Sequence, residues 1–246
     1  MRRLELNLGE EVCYADFVRR CACDRNSLIR ALRRRYDGLE GKLPAELVAD
    51  IIFDVCHWTI VERRLYFDQQ AYSDFGNRKI RMSNRLDLMA ADEEQKPLAF
   101  RRCALTHELG HIRLHGPEIC SMEFRSYLGP EQGYDDPRHP QKEREAEAYA
   151  AIFLVPLGPL RRTEQALRLE SAIRERPTME ATEIWSLIRP LADAFGVTVA
   201  MMARSLACHG YLQPIPYPVP RSWIPRLGNG EKHEIEEDYE DEGFHD

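Results

Sequence analysis

At 246 residues, with 43% hydrophobic and 30% charged side chains, the chain has the balance of a folded protein and not of a disordered one. A net charge of −7 argues against a dedicated nucleic-acid binder. No apolar run approaches the roughly 20 residues that cross a bilayer, and Glu10 and Glu11 arrive before any apolar signal segment can form, so no membrane association is expected.

Seven cysteines, an odd number without a C-x-x-C pair, fit reduced thiols in a cytoplasmic protein; Cys21 and Cys23 read as packing residues. Phe17, Val18, Cys21, Leu28, Ile29 and Leu32 recur at helical spacing, which predicts one or two short helices over Asp16–Tyr36, stopped by Asp37-Gly38. Arg19, Arg20, Arg25, Arg30, Arg33, Arg34 and Arg35 make this zone basic, whereas Glu231–Asp246 is acidic and is expected to be disordered. Pro44 opens a second amphipathic helix that runs to about Cys56.

Ile60–Phe67 and Lys79–Met82 are rich in branched and aromatic residues and are separated by the turn-prone Tyr72–Asn77, so they predict a small antiparallel sheet. Leu98–Leu114 reads as a helix stopped by Gly116-Pro117, and Ser121–Pro140 as a turn-rich connection. A helix follows over Gln141–Val155, then two more near Arg161–Arg174 and Met179–Ile188. Leu191–Val197 and Ala200–Cys208 have the rhythm of a helix-turn-helix, and five prolines between Tyr211 and Pro225 make an extended strap.

The chemistry lies in Thr106-His107-Glu108-Leu109-Gly110-His111, an H-E-x-x-H motif inside a segment that reads independently as helix. Residues four apart stack on one helix face, so both imidazoles can reach one metal ion at about 2.0 to 2.1 Å. Glu108, beside the first of them, is placed to take a proton from an attacking water.

A catalytic zinc site usually needs a third protein ligand. Leu114 and Pro117 stand where the metzincin pattern requires Gly and His, which excludes that class. His115 and Cys103 continue the same helix face, and residues stacked at successive fours along one straight helix cannot all surround one ion; His115 reads as a neighbour of the ligands or a surface residue.

A second helix can supply a carboxylate, and Glu143-Arg144-Glu145-Ala146-Glu147-Ala148-Tyr149-Ala150 begins 32 residues after His111. At about 100° per residue, Glu143 and Glu147 share a face with Ala146 and Ala150, while Glu145 points roughly 200° from Glu143. Glu143 is the expected third ligand, with Glu145 and Glu147 as alternatives on the same helix. Glu147 is expected to orient a histidine, and the small alanines to let the two helices approach closely.

Through Ala104–His111 and Glu143–Pro156 the sequence resembles the ImmA/IrrE family of metallopeptidases, whose second block typically reads E-x-x-A-N-x-F-A-A-x-L-L-M-P. Glu147 and Tyr149 replace the usual Asn or Asp and Phe. The resemblance covers roughly Leu43 to Leu212. It implies an α+β, mostly helical zincin-like core with a small antiparallel sheet, followed by a helix-turn-helix-like segment.

The domain reading is an N-terminal helical extension at 1–42, the peptidase core at 43–160, the helical segment at 161–212, and the strap and tail at 213–246. The resemblance further implies a cytoplasmic peptidase that cuts a helix-turn-helix repressor and thereby switches on a phage, mobile-element or stress response. Two His, one Glu and water suit zinc, and manganese as well. An edge of the sheet between Ile60 and Met82 is the expected seat of an extended substrate. The alternative is a DNA-binding or partner-binding regulator with a structural metal, built on Leu191–Leu206 and the arginine zone. Arg204 is the only basic residue of the second helix in that reading.

Overall fold

The computed structural model describes residues 14–65, 69–88, 96–116, 123–127, 140–175 and 181–212. The proline strap, the acidic tail and most of the 121–140 connection therefore lie outside the described residues.

Phe17, Cys21, Leu28 and Leu32 fall on one buried stripe of α1 (Tyr14–Arg33), and the stripe runs unbroken, so this is one helix of 20 residues. Helix α2 (Pro44–Asp50) has Pro at its start, and Glu46 Oε2 accepts the Leu43 N–H at 2.7 Å. It continues into a π-helical turn, Ile51–Val55, that delivers the chain to the sheet.

The sheet has strands β1 (Thr59–Arg63), β2 (Gln69–Asp74), β3 (Lys79–Ser83) and β4 (Glu123–Tyr127), in the order β1-β3-β2-β4. It is mixed, which corrects the antiparallel expectation. Strands β2 and β3 form the hairpin, with Ala71 opposite Met82 and Asp74 opposite Lys79. Asp74 Oδ1 accepts the Asn77 N–H at 3.1 Å, and Arg78 takes the left-handed conformation at φ 49°, which closes the turn within four residues. The hairpin partner of β3 is thus β2, and β1 takes the other side of β3 in parallel, Thr59 beside Lys79. Residues 123–127, read from sequence as part of a connection, add an antiparallel edge to β2.

Helices α3 (Pro97–Leu114) and α4 (Pro140–Leu154) make the centre. Every residue from Cys103 to His111 is buried, as is every residue from Ala148 to Val155, so these are core helices and not amphipathic surface ones. Helix α2 and strand β2 pack on α3, and α1 packs on α4. Arg25 of α1, buried, donates from Nη1 to the Ile152 carbonyl at 3.0 Å, and Asp24 accepts from both Arg113 and Tyr149.

The remaining helices are α5 (Leu157–Arg161), α6 (Glu164–Glu175), α7 (Ala181–Phe195) and α8 (Val199–Cys208). The span expected as one helix over Arg161–Arg174 is broken at Thr163, whose hydroxyl accepts the Ala166 N–H at 3.2 Å and starts α6. Helix α7 runs through Pro190, beyond the expected end at Ile188, because Pro190 is exposed and the backbone bond it removes faces solvent.

Gly196, at φ +64°, ends α7, and the Val197 N–H reaches the Ala192 carbonyl at 3.0 Å; Thr198 then caps α8 by accepting the Met201 N–H. Helix α8 packs on α4. No single described helix is long and apolar enough to cross a membrane, and the pair Glu183–Phe195 and Val199–Cys208 is bent by 97°.

Candidate metal centre

One helical turn separates His107 from His111, and burial of α3 on every side turns both imidazoles toward α4. Glu143, in the first turn of α4, is fully buried and meets them. His107 Nε2 lies 3.0 Å from Glu143 Oε2, His111 Nε2 lies 3.4 Å from the same oxygen, and the two Nε2 atoms are 3.0 Å apart. The candidate donor atoms of these three residues all lie within 4.8 Å of one another.

This triangle fits a divalent ion. Tetrahedral donors at about 2.05 Å from a metal stand about 3.4 Å from each other, close to the spans present here. Two imidazole Nε2 atoms facing each other need a shared proton or a cation between them. Glu143 Oε1, also buried, has no hydrogen-bond partner among the described residues, so it has acceptor capacity to spare.

The charges tell the same story. Burial acts to lower the pKa of His107, but its hydrogen bonds to Glu143 and Glu147 outweigh that and raise it to about 10. Burial dominates at His111 and takes it down to about 4. Burial also acts to raise the Glu143 pKa, yet the two imidazoles hold it below the ordinary carboxylate range. Without metal the triangle thus pairs a protonated His107 with an ionised Glu143, and a metal cation would take the place of that proton.

Each site residue is supported from behind. His107 Nδ1 donates to Glu147 Oε2 at 3.1 Å, the contact expected of Glu147 from its helix face. Glu147 Oε1 is itself 2.9 Å from Arg204 Nε on α8. Glu108, fully buried, accepts a 2.6 Å hydrogen bond from the Ser73 hydroxyl of β2.

His115 is buried, with Nδ1 3.2 Å from His111 Nδ1 and Nε2 2.9 Å from Glu145 Oε2, so Glu145 reaches α3 despite its angle on the helical wheel. Cys103 stays out of the cluster. Its sulfur faces the Thr198 hydroxyl at 3.8 Å, and burial pushes its thiol up to about 12, which keeps it protonated.

Sequence reasoning missed Ser73, Arg204, Asp24 and the role of Glu145. It also treated Arg204 as a candidate DNA contact, whereas its guanidinium is engaged with Glu147 and seven neighbouring residues of α8 are buried. The arginine zone of residues 19–35 is partly used up in the same way. Arg25, Arg30, Arg33 and Arg35 donate to backbone carbonyls, of Ile152, Asn26, Leu39 and Asp54 respectively.

Residues 93–207 match the model of the Peptidase M78 family, described as an IrrE N-terminal-like domain. The match takes in both central helices and nearly all of α8. No curated protein matches the chain.

Proposed function

Because residues 93–207 match the model of the Peptidase M78 family, an IrrE N-terminal-like domain, we propose that the chain hydrolyses peptide bonds with a zinc ion held by His107, His111 and Glu143 and with Glu108 as catalytic base. The observation that carries this reading is the buried triangle of donors, with spans of 3.0, 3.0 and 3.4 Å, one residue away from a buried carboxylate. Two imidazoles and a carboxylate suit zinc, and suit manganese as well.

When bound, the metal supplies Lewis-acid polarisation of the scissile carbonyl and lowers the pKa of the attacking water. The chain's own residues do the rest. The Ser73 hydroxyl fixes one oxygen of Glu108, leaving the carboxylate set to take the water's proton and pass it to the leaving amine. Glu147 holds His107 through Nδ1, so the other ring nitrogen faces the site. Among the described residues β4 is a sheet edge beside β2, the strand that carries Ser73, and it is where an extended substrate would pair.

The substrate of this reading is a helix-turn-helix repressor in the cytoplasm, a class the family resemblance supplies. Native protein and Glu108→Gln, each mixed with such a repressor, test it. The native chain cleaves in a chelator-sensitive manner; the variant keeps its metal and loses roughly 10² to 10⁴ in rate. Equal, chelator-insensitive cleavage by both proteins would exclude Glu108 as the base.

A further inference from the structure

Behind His111 stands a chain of two hydrogen bonds that the proposed peptidase chemistry leaves unexplained. His111 Nδ1 lies 3.2 Å from His115 Nδ1, and His115 Nε2 lies 2.9 Å from Glu145 Oε2. Both histidines are buried, and Gln141 Nε2 donates to the other oxygen of Glu145 at 3.1 Å. The partners come from both central helices, α3 and α4.

Proton bookkeeping decides what this chain does. An ionised carboxylate can only accept, so Glu145 takes the Nε2–H of His115. With that hydrogen committed at Nε2, His115 Nδ1 faces His111 Nδ1 at 3.2 Å as the acceptor of its N–H. His111 is left with a bare Nε2, and that is the atom 3.0 Å from His107 Nε2 and 3.4 Å from Glu143 Oε2. The opposite order would put a hydrogen on His111 Nε2, aimed into the triangle, where it would exclude a metal.

We propose that His115 and Glu145 are positioning residues that lock His111 in the tautomer and ring orientation a metal ion requires. They do for His111 what Glu147 does for His107. Each ring of the triangle is then anchored by a carboxylate of α4, directly for His107 and through an intervening imidazole for His111. The helix wheel that sets Glu145 apart from Glu143 and Glu147 is what allows it to serve a different histidine. This inference rests on His111 being a ligand.

The test is the zinc dissociation constant of the full chain, measured by chelator competition for His115→Phe, Glu145→Ala, Glu145→Gln and the double variant His115→Phe, Glu145→Ala. His115→Phe, which keeps the bulk and removes the acceptor, weakens zinc roughly 10- to 100-fold. Glu145→Ala also weakens it, and Glu145→Gln restores near-native affinity because the amide oxygen still accepts from His115. The double variant is no weaker than His115→Phe alone, since the two residues act in series.

Native affinity in both single variants overturns the proposal, and so do strictly additive losses. Should His115→Phe fail to fold, the comparison of Glu145→Ala with Glu145→Gln decides, equal affinities counting against it. A His107→Ala, His111→Ala double variant separates the two readings. Metal retained there sinks the ligand assignment, whereas metal lost there and unaffected by His115→Phe and Glu145→Ala sinks only the relay.

Discussion

A methyl group on Gly110 would meet the carbonyl oxygen of Ala146 at 2.9 Å and its Cα at 3.0 Å. The absent side chain lets α3 approach α4 backbone to backbone, one residue from His111 and three from Glu143. Gly110→Ala forces the helices apart by a few tenths of an ångström and destabilises the metal-free protein by about 1–3 kcal/mol. Metal–donor distances tolerate only about 0.2 Å, so zinc affinity falls as well. Thermal unfolding without metal and chelator competition read the two effects separately; unchanged affinity would show that the helix spacing does not set the site.

Glu143→Ala removes zinc binding far more completely than Glu145→Ala. Only Glu143 reaches both Nε2 atoms, whereas Glu145 acts two hydrogen bonds away. Elemental analysis after gel filtration distinguishes them, and the reverse order would move the ligand to Glu145.

Ser73→Ala lowers kcat and leaves zinc stoichiometry and KM unchanged. The hydroxyl touches Glu108 and none of the three metal-facing donors, and a hydrogen bond to a charged group contributes about 1.5–3 kcal/mol. A loss confined to KM would place Ser73 in substrate binding instead.

Zinc affinity should rise with pH across the neutral range. In the metal-free protein His107 keeps its proton up to about 10, whereas coordination needs Nε2 bare, so binding displaces that proton and affinity climbs about tenfold per pH unit. His111, neutral above about 4, adds nothing to this slope near neutrality. Calorimetry in buffers of different ionisation enthalpy counts the released proton, and a count of zero would take the proton off His107.

Asp24→Ala destabilises the fold by about 2 kcal/mol, most of it from the Tyr149 hydroxyl, which donates to Asp24 at 2.7 Å from a fully buried ring. The partner Arg113 is partly exposed and can turn to solvent, which limits its share. Denaturant unfolding measures the loss. A variant as stable as the native chain would reduce α1 to an appendage, although Phe17, Cys21, Leu28 and Leu32 join the core.

The motif helix was legible because its signal is local: His107, Glu108 and His111 lie within five residues of a segment with helical spacing and a Gly-Pro stop. The approach of Glu143 to the two histidines was legible because it shares a helix face with the small residues that let the helices come close. Strand β2 was not, since Gln69-Gln70-Ala71-Tyr72-Ser73-Asp74 lacks the branched residues that mark a strand, and it is buried on both faces instead of alternating. Missing β2 left Ser73 unseen and turned a mixed sheet into an antiparallel one. The contacts of Arg204 and Asp24 span 57 and 89 or more residues, distances over which charge and periodicity carry no trace.

The link from Arg204 through Glu147 to His107 ties the register of α8 to the metal pocket. Deleting or inserting one residue in the Gly196–Thr198 turn would rotate every later side chain by about 100° around the helix, carrying Arg204 away from Glu147. That turn therefore acts as an indexing pin. A single-residue length change between α7 and α8 is expected to be felt at His107, through Arg204 and Glu147.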